Sequence, residues 1–538
     1  MSKSIVKELT RLGNTDHTGL LNPIDRPLSY GTAGFRCLAT DLPFVVFRVG
    51  ALAGLRARQL GQCIGVMITA SHNPMLDNGV KVVDPMGEML VEDWEVHATE
   101  FVNAKDDEVA AVIEKLEHLV KEGQLNASET PQGKVFCAFD TRDSSQYLHD
   151  AAKKGCEFVG TEFVSLGLLT TPQLHYSVRC ENDPTFGMAG ELGYYESLSN
   201  AFNALNKNID APNYDKMLVL DCANGVGASK FRKLLGRIDS ELLEVEFTNE
   251  TGSLNYKCGA DFVKILRSFP EGLDAAMGVR CASFDGDADR LVYFYRDTNG
   301  FCRLLDGDKI AALIAGFIQS EVDAAGLTGQ FKIGAVQTAY ANGNSTAYIR
   351  DVMKIPVDCV PTGVKHLHHA AIKLDIGIYF EANGHGTVVF SQLFKDAISQ
   401  GDQDNVHLKK LQLFTKLINE TVGDAMSDLL VVETILRNNN WSVEDWDAIY
   451  EDAPSCQLKV EVKDRTVVKT TWDETECTHP AGLQKEMEEL IIANGAGRAF
   501  VRPSGTEDVV RVYTEGTCEE NAKVLANAVA HLVQKYCA

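Results

Sequence analysis

Short apolar runs separated by polar, glycine-containing stretches recur along most of the chain. Apolar runs of about four to eight residues bounded by turn residues are typical of buried strands. Longer stretches with an apolar and a polar face alternate with them, an order that is typical of α/β folds. The pattern predicts strands at 64–68, 80–83, 134–139, 162–166, 217–221, 281–284, 291–295 and 376–380.

The helical pattern divides the chain into three α/β segments and a smaller final segment of strands and helices. The strand–helix–strand order over 134–166 implies parallel sheet. Polar stretches at 182–192 and 438–454 are interpreted as a boundary and a linker, and three successive α/β segments are compatible with duplicated domains. Helices are predicted at 44–60, 145–159, 309–319, 481–493 and 519–535, before 235, and within 1–27, 95–128 and 403–437; the last segment has strands at 457–462, 499–502 and 509–514.

The first candidate chemistry lies just after the predicted strand 64–68, in the sequence Thr69-Ala70-Ser71-His72-Asn73-Pro74. Ser71 therefore falls on a tight loop at a strand end, where α/β proteins place reactive side chains. Asp77-Asn78-Gly79 predicts a turn that returns Lys81 near this loop. Taken alone, a loop serine usually bonds only to nearby backbone, and a strand lysine usually points to solvent.

Two other loops in the first part of the chain carry polar groups. Tyr30-Gly31-Thr32-Ala33-Gly34-Phe35-Arg36 has glycines that let the backbone approach an anion and an arginine that adds positive charge. An ordinary turn is the alternative for this stretch. Asp140-Thr141-Arg142 ends the strand at 134–139, and Thr170-Thr171-Pro172 is predicted to be a loop.

Three carboxylates alternate with small residues in Asp285-Gly286-Asp287-Ala288-Asp289-Arg290, between two predicted strands. Such closely spaced carboxylates repel one another, and hard oxygen ligands suit Mg²⁺ or Ca²⁺. The stretch is not an EF-hand, because its sixth position is Arg290 and its twelfth is Arg296. A solvated acidic turn remains the alternative.

The third α/β segment ends in Glu381-Ala382-Asn383-Gly384-His385-Gly386, after the strand at 376–380. A glutamate and an asparagine are able to hold a sugar diol while glycines permit close approach. Thr362-Gly363 is a second loop of this segment. A polar hairpin turn explains the same residues equally well.

The final segment contains Arg502-Pro503-Ser504-Gly505-Thr506-Glu507, with Arg511 following on the next predicted strand. Backbone N–H groups, hydroxyls and guanidinium groups together predict a phosphate-binding loop. A polar β-turn is the alternative.

The composition limits the partners. The chain has 538 residues, enough for three or four domains, and 45% apolar content is typical of a globular protein. A net charge of −24 argues against nucleic acids and anionic membrane surfaces. The fourteen cysteines lack any C-x-x-C spacing, which indicates reduced thiols in the cytosol. The start lacks a signal peptide, and the longest apolar run, 310–318, is too short to span a membrane.

Together the motifs GTAGFR, TASHNP, DGDADR, EANGH and RPSGTE, in this order over nearly the whole chain, resemble the α-D-phosphohexomutase superfamily. Two features depart from its general pattern, namely the EANGH sequence and the position of Asp140-Thr141-Arg142 after the serine loop. Both point to the branch that acts on an N-acetylated amino sugar. The resemblance implies four domains around a central cleft, three similar α/β domains and a smaller C-terminal α+β domain. With the predicted segments it places them at 1–190, 191–297, 298–437 and 438–538.

The resemblance also implies the chemistry. N-acetylglucosamine 6-phosphate and its 1-phosphate would interconvert through a 1,6-bisphosphate, on the cytosolic route to UDP-N-acetylglucosamine, in a monomer or weak dimer. Ser71 would carry a covalent phosphate, and one Mg²⁺ per chain would be held by that phosphoserine, Asp285, Asp287 and Asp289. Lys81, Arg36 and Arg290 would neutralise the transferring phosphoryl group, and His72 or Lys81 would move the proton.

The other implied contacts are with the substrate and use residues of the last two segments. They comprise Thr362, Gly363, Glu381, Asn383 and His385 for the sugar, and Arg502, Ser504, Gly505, Thr506 and Arg511 for the phosphate that does not react. Two alternatives stay open. One is a phosphoglucomutase or phosphomannomutase, and the other is a non-catalytic sugar-phosphate sensor.

Overall fold

The computed structural model describes residues 26–105, 108–123, 133–495, 497–505 and 508–537. Most of the predicted helix within 1–27, the end of the one within 95–128, and Thr506 lie outside these ranges. The chain forms two compact units, one of residues 1–304 with 413–440 and one of residues 305–412 with 441–538. Residues 413–440, most of which fall within the third predicted domain, 298–437, pack with the first unit.

The first unit begins with a five-stranded sheet of order β1-β3-β2-β4-β5. Strands β2, β4 and β5 are parallel, and β3 runs antiparallel to β2 and β1. The strands are β1 (Phe35–Leu38), β2 (Cys63–Ile68), β3 (Asp77–Val83), β4 (Lys134–Phe139) and β5 (Glu162–Leu168); the helices are α1 (Pro43–Leu60), α2 (Glu92–Asn103), α3 (Val109–Gly123), α4 (Ser145–Phe158) and α5 (Thr171–Asn182).

Close helix packing covers one face of this sheet. Helices α1 and α4 approach so closely that a Cβ on Gly50 would lie 2.3 Å from the Ala152 carbonyl oxygen, and one on Gly155 would lie 2.1 Å from that of Phe47. Glycine at both positions therefore permits the contact, and the buried side chains of α1 and β2 form the largest part of the core behind the serine loop.

The second sheet of this unit has the order β10-β9-β8-β6-β7. Strands β7, β6 and β8 are parallel, and β9 is antiparallel to β8. The elements are α6 (Glu191–Asn206), β6 (Met217–Asp221), α7 (Gly227–Leu235), β7 (Glu244–Thr248), α8 (Ala260–Leu266), β8 (Cys281–Phe284), β9 (Leu291–Arg296), β10 (Cys302–Leu305) and α14 (Ala425–Asn439).

The second unit contains a four-stranded sheet of order β12-β11-β13-β14, in which only the β13–β14 pair is antiparallel. Its elements are α9 (Gly307–Ala324), β11 (Ile333–Thr338), α10 (Gly343–Ala347), a π-helical turn (Tyr348–Val352), β12 (Val357–Val360), α11 (Val364–Ala371), β13 (Ile376–Phe380), β14 (Gly386–Phe390) and α12 (Gln392–Gln400); α13 (Val406–Leu417) follows.

The rest of the second unit is an antiparallel sheet of order β15-β19-β18 with a two-stranded ribbon. Its apolar face packs on two helices. The elements are α15 (Val443–Asp447), β15 (Ser455–Glu461), β16 (Lys469–Thr470), β17 (Cys477–His479), α16 (Leu483–Ala493), β18 (Arg498–Pro503), β19 (Val509–Glu515) and α17 (Glu519–Tyr536).

The four sheets place the motifs in one recurring position. The serine loop joins β2 to the antiparallel β3, and the aspartate loop joins β8 to the antiparallel β9. The EANGH loop joins β13 to β14, and the terminal loop joins β18 to β19. This confirms the predicted mixed α/β domains followed by a smaller α+β domain.

Three local predictions were wrong. Asp77-Asn78-Gly79 starts β3 and is not a turn, because Asn78 is buried against Ser144 and Ser145 and a Cβ on Gly79 would lie 2.6 Å from two carbonyl oxygens. The predicted linker contains α15, whose Trp446 is fully buried. Thr171 starts a helix and is not a loop residue.

All fourteen cysteines are free thiols. None of the helices in the described ranges combines the length and the apolar character that a membrane crossing requires.

Candidate active site

The serine loop holds Ser71 in a strained and buried conformation. Ser71 has a φ of 50°, in the left-handed region, and its side chain is fully buried. Its N–H donates to Thr69 Oγ1 at 3.0 Å. Strained backbone of this kind persists only where the surroundings fix it, and it is common at functional sites.

Arg142 fixes the loop from behind. Its side chain is fully buried and donates to four carbonyl oxygens of the loop, at 2.5–3.0 Å. Those oxygens belong to Ser71, Asn73, Pro74 and Asp77. The Asp140-Thr141-Arg142 segment, which the sequence left without a role, therefore shapes the serine loop.

The aspartate loop lies directly against Ser71. Ser71 Oγ donates to Asp285 Oδ2 at 2.5 Å. A Cβ on Gly286 would lie 2.6 Å from the Ser71 carbonyl oxygen, so only glycine permits this approach. Asn255 Nδ2 also donates to that oxygen, at 2.9 Å. The structure thus brings together two motifs that are more than 200 residues apart in sequence.

Asp285, Asp287 and Asp289 are buried and offer ligand oxygens within 4.8 Å of one another. Burial, followed by the charges of Asp289 and Asp287, holds the pKa of Asp285 well above its usual range. Asp287 Oδ1 has no hydrogen-bond partner within the described ranges. An all-oxygen set with an unsatisfied buried carboxylate oxygen fits a hard divalent cation such as Mg²⁺, whose charge would offset the repulsion.

Three basic side chains surround this cluster. Lys81 Nζ lies 3.7 Å from Asp287 Oδ2 and 3.5 Å from Asp289 Oδ2. Arg290 Nε lies 3.9 Å from Asp285 Oδ2. Arg36 is partly buried beside the same carboxylates, and desolvation lowers its pKa. Lys81, Arg36 and Arg290 therefore lie around the carboxylates next to Ser71.

His72 pairs with a residue that the sequence did not single out. Its Nε2 lies 3.7 Å from Asp261 Oδ2, and Arg290 Nη1 donates to Asp261 Oδ1 at 2.8 Å. Burial, with the nearby charge of Arg290, lowers the pKa of His72 to about 4. His72 is therefore neutral at pH 7. Asp261 comes from α8, and no motif in the sequence points to it.

In the second unit, the EANGH loop is held by bonds among its own residues. Asn383 Nδ2 donates to Glu381 Oε2 at 3.2 Å, and the His385 N–H donates to Asn383 Oδ1 at 3.0 Å. Gly384 has a φ of 87°, which favours glycine. Glu381, Asn383 and His385 therefore form one compact polar turn.

Glu474 joins two other predicted sites. Its Oε2 accepts from the Thr362 N–H at 2.9 Å and from Thr362 Oγ1 at 2.5 Å, while Oε1 accepts from Arg502 Nε at 2.7 Å. Gly363, next to Thr362, has a φ of 126°. Glu474 itself has a φ of 62°. No sequence motif points to this residue, because its partners are on distant segments.

The terminal loop has a row of positive charges beside it. Arg502 on β18 faces Arg511 on β19, and Arg511 faces the exposed Lys459 on β15. Like charges directly opposite one another destabilise a sheet. The buried Arg511 Nε has no partner among the residues that the structure describes. A row of this kind favours an anion.

The turn next to this row is ordered by backbone bonds. The buried Ser504 donates its N–H to the Val509 carbonyl at 2.8 Å, and Arg465 Nη2 donates to the Gly505 carbonyl at 3.1 Å. Lys459 and Arg465 had no sequence signal, while Thr506 lies outside the described residues.

Comparison with known proteins agrees with the motifs. Family models match residues 306–441 and 184–292, described as phosphoacetylglucosamine mutase AMG1, domains III and II. Others match residues 458–532 and 51–109, described as the C-terminal domain and the alpha/beta/alpha domain I of phosphoglucomutase/phosphomannomutase. These four domain matches and the buried serine–aspartate pair define an α-D-phosphohexomutase.

Full-length relatives refine this class. The chain is 47% identical over 513 residues to a phosphoacetylglucosamine mutase of Sus scrofa, covering 94% of this chain and 93% of that protein. A crystal structure of Aspergillus fumigatus N-acetylphosphoglucosamine mutase with GlcNAc-6P and magnesium is 42% identical, with a TM-score of 0.92 and coverage of 100% and 99%. A structure of a variant of that enzyme with glucose 1,6-bisphosphate is 42% identical, with a TM-score of 0.91 and the same coverage. The chain belongs to the phosphoacetylglucosamine mutase family of intramolecular phosphotransferases.

Proposed function

We propose that this chain interconverts N-acetylglucosamine 6-phosphate and N-acetylglucosamine 1-phosphate through a 1,6-bisphosphate, on the route to UDP-N-acetylglucosamine. The 2.5 Å hydrogen bond from Ser71 Oγ to Asp285 carries the proposal, because it sets a nucleophilic hydroxyl against a cluster suited to a metal. The sugar phosphate, magnesium and bisphosphate found with the Aspergillus enzyme support the same reaction here.

Ser71 is the phosphate carrier in this proposal. Its Oγ gives a phosphoryl group to one sugar hydroxyl and takes the other phosphate back, so that one phosphate never has to cross the ring. The bisphosphate turns over between the two transfers. Lys81, Arg36 and Arg290 hold the charge that develops on the transferring group, since fixed cations stabilise that charge without reorganising.

Asp285, Asp287, Asp289 and the phosphorylated Ser71 would hold one Mg²⁺ per chain. The ion supplies Lewis-acid neutralisation of the phosphoryl oxygens when it is bound. In this proposal His72, whose Nε2 lies 3.7 Å from Asp261 Oδ2, moves the hydroxyl proton, with Lys81 as the alternative.

The second unit is proposed to bind the rest of the substrate. Glu381, Asn383, His385, Thr362 and Gly363 contact the sugar. The phosphate that does not react is held by Arg502, Ser504, Gly505, Thr506 and Arg511. Four domains at 1–190, 191–297, 298–437 and 438–538 would carry these parts, in a monomer or weak dimer, and the free thiols support a cytosolic location.

The test is intact-mass analysis combined with kinetics. Wild type should carry one covalent phosphate, and Ser71→Ala should lose both that phosphate and nearly all turnover while keeping its melting temperature. Ser399→Ala, at an exposed serine on α12, is the matched control and should change neither. A folded Ser71→Ala variant with near-normal turnover would overturn the proposal.

Turnover rates on acetylated and non-acetylated sugar phosphates distinguish this function from the two alternatives. Faster turnover of glucose or mannose phosphate would assign the chain a phosphoglucomutase or phosphomannomutase activity. Binding without turnover of any of these sugars would make it a sensor.

A further inference from the structure

The helix α5 begins against the aspartate loop. Thr170 is its N-cap residue and forms a capping box with Gln173, in which each side chain accepts from the backbone N–H of the other residue. Thr171 is the first residue of the helix and is fully buried. The helix is therefore capped by Thr170, and the hydroxyl of Thr171 is available for another purpose.

Thr171 makes two hydrogen bonds to Asp287. Its Oγ1 donates to Asp287 Oδ2 at 2.5 Å, and its N–H donates to the Asp287 carbonyl at 3.2 Å. Lys81 Nζ also faces Oδ2, at 3.7 Å. The Thr171 hydroxyl and Lys81 thus both lie next to Asp287 Oδ2. Asp287 Oδ1 has no hydrogen-bond partner within the described part of the chain.

This division of the two oxygens has a chemical consequence. A carboxylate held at one oxygen and along its backbone cannot rotate freely, so its other oxygen points in a fixed direction. Partners that hold metal ligands in this way are commonly worth a factor of about 10 to 100 in metal affinity. The N-terminal end of α5 adds a favourable partial charge next to the carboxylate.

We propose that Thr171 is a positioning residue for the metal site, which binds Asp287 Oδ2 and so presents Oδ1 to a divalent cation. The inference rests on the proposed metal site. It adds a residue that touches neither the cation nor the sugar phosphate, and it gives the Thr-Thr-Pro segment two separate tasks. Thr170 caps the helix, and Thr171 orients a ligand.

The experiment measures Mg²⁺ affinity by calorimetry on the full-length protein, without substrate. Thr171→Val removes the hydroxyl at constant shape and should weaken Mg²⁺ binding by about 10- to 100-fold. Thr171→Ser keeps the hydroxyl and should stay within about threefold of wild type. Thr170→Ala is the matched control, because it should lower the melting temperature through the lost cap while leaving Mg²⁺ affinity unchanged.

The outcomes distinguish this inference from the metal site itself. Wild-type Mg²⁺ affinity in folded Thr171→Val would overturn the role of Thr171 and leave the metal site standing. An equal loss of affinity in Thr170→Ala and Thr171→Val would also overturn it, since the effect would then come from the helix. If the valine variant does not fold, Thr171→Ala takes its place under the same criteria. No Mg²⁺ binding by wild type would overturn the metal site, and the inference with it.

Discussion

Replacing Arg142 with methionine tests whether the serine loop is held by one guanidinium group. The change keeps a long side chain in a fully buried position but removes the donors to four loop carbonyls and to Asp140 Oδ2, which lies 3.1 Å from Arg142 Nε. Asp140 would keep only its bonds from Thr69, Ser145 and the backbone. Removing one partner of a buried ion pair costs about 3–5 kcal/mol.

The Arg142→Met substitution should lower the catalytic rate as well as the stability. Arg142 binds the carbonyl oxygen of Ser71, whose φ of 50° places Oγ against Asp285. A nucleophile that moves by about 1 Å costs on the order of 100-fold in rate. We therefore expect kcat to fall by about 100-fold. The change in KM should be much smaller, because Arg142 faces the loop backbone.

The assay pairs urea unfolding with steady-state kinetics on Arg142→Met and on Asp140→Asn/Arg142→Met. The second variant removes the unpaired charge, so it should recover part of the lost stability, since replacing both partners of a buried pair is often nearly neutral. It should not recover kcat, because the four loop carbonyls are still unheld. A folded Arg142→Met protein with wild-type kcat would refute the reasoning, as would full recovery of kcat in the double variant.

Three further predictions concern other parts of the molecule. Arg511→Ala should cost about 10- to 100-fold in kcat/KM, equally for the 6-phosphate and the 1-phosphate, because a charge-assisted hydrogen bond is worth roughly 1.5–3 kcal/mol and one anchor serves both orientations; wild-type kinetics in both directions would contradict it. Asn383→Ser should lower turnover of the acetylated sugar more than that of glucose phosphate, and equal losses would place sugar selection elsewhere. Burial raises the pKa of Asp424 from 3.8 to about 6, so its contribution to stability is present below about pH 4 and is lost as the pH rises through about 6. Asp424→Asn should flatten the fall in melting temperature over that range, and an unchanged slope would rule this out.

The central strands β2, β8 and β13 were predictable because they are fully buried and mostly apolar, whereas the half-exposed, polar β7 was not predicted. The run before Ser71 became β2 with all six residues buried. The turn predicted at Asp77-Asn78-Gly79 failed for a physical reason. That turn signal describes local backbone preference, whereas here Asn78 and Gly79 are fitted to the buried contacts of β3.

The site was predictable where its members are neighbours in sequence. The three aspartates form one cluster because they occupy alternate positions of one short loop, which keeps their carboxylates close together. Asp261, Asn255 and Glu474 could not be found in this way, since each comes from a separate element and contacts its partners only through the tertiary fold. Thr171 did have a signal, because threonine followed by proline is typical of a helix start.

The functional loops occupy the same position in their sheets although the order of the strands along the chain differs. In the first sheet β2 precedes its parallel neighbour β4, whereas β8 and β13 follow theirs, β6 and β11. Each of the strands β2, β8 and β13 is nevertheless followed by a loop that leads into an antiparallel neighbouring strand. A loop anchored by paired strands at both ends has little freedom, so it can sustain left-handed backbone at Ser71, Ala288 and Gly384. A fixed loop of this kind is what phosphoryl transfer needs, because its rate depends on positioned charge more than on reactive groups.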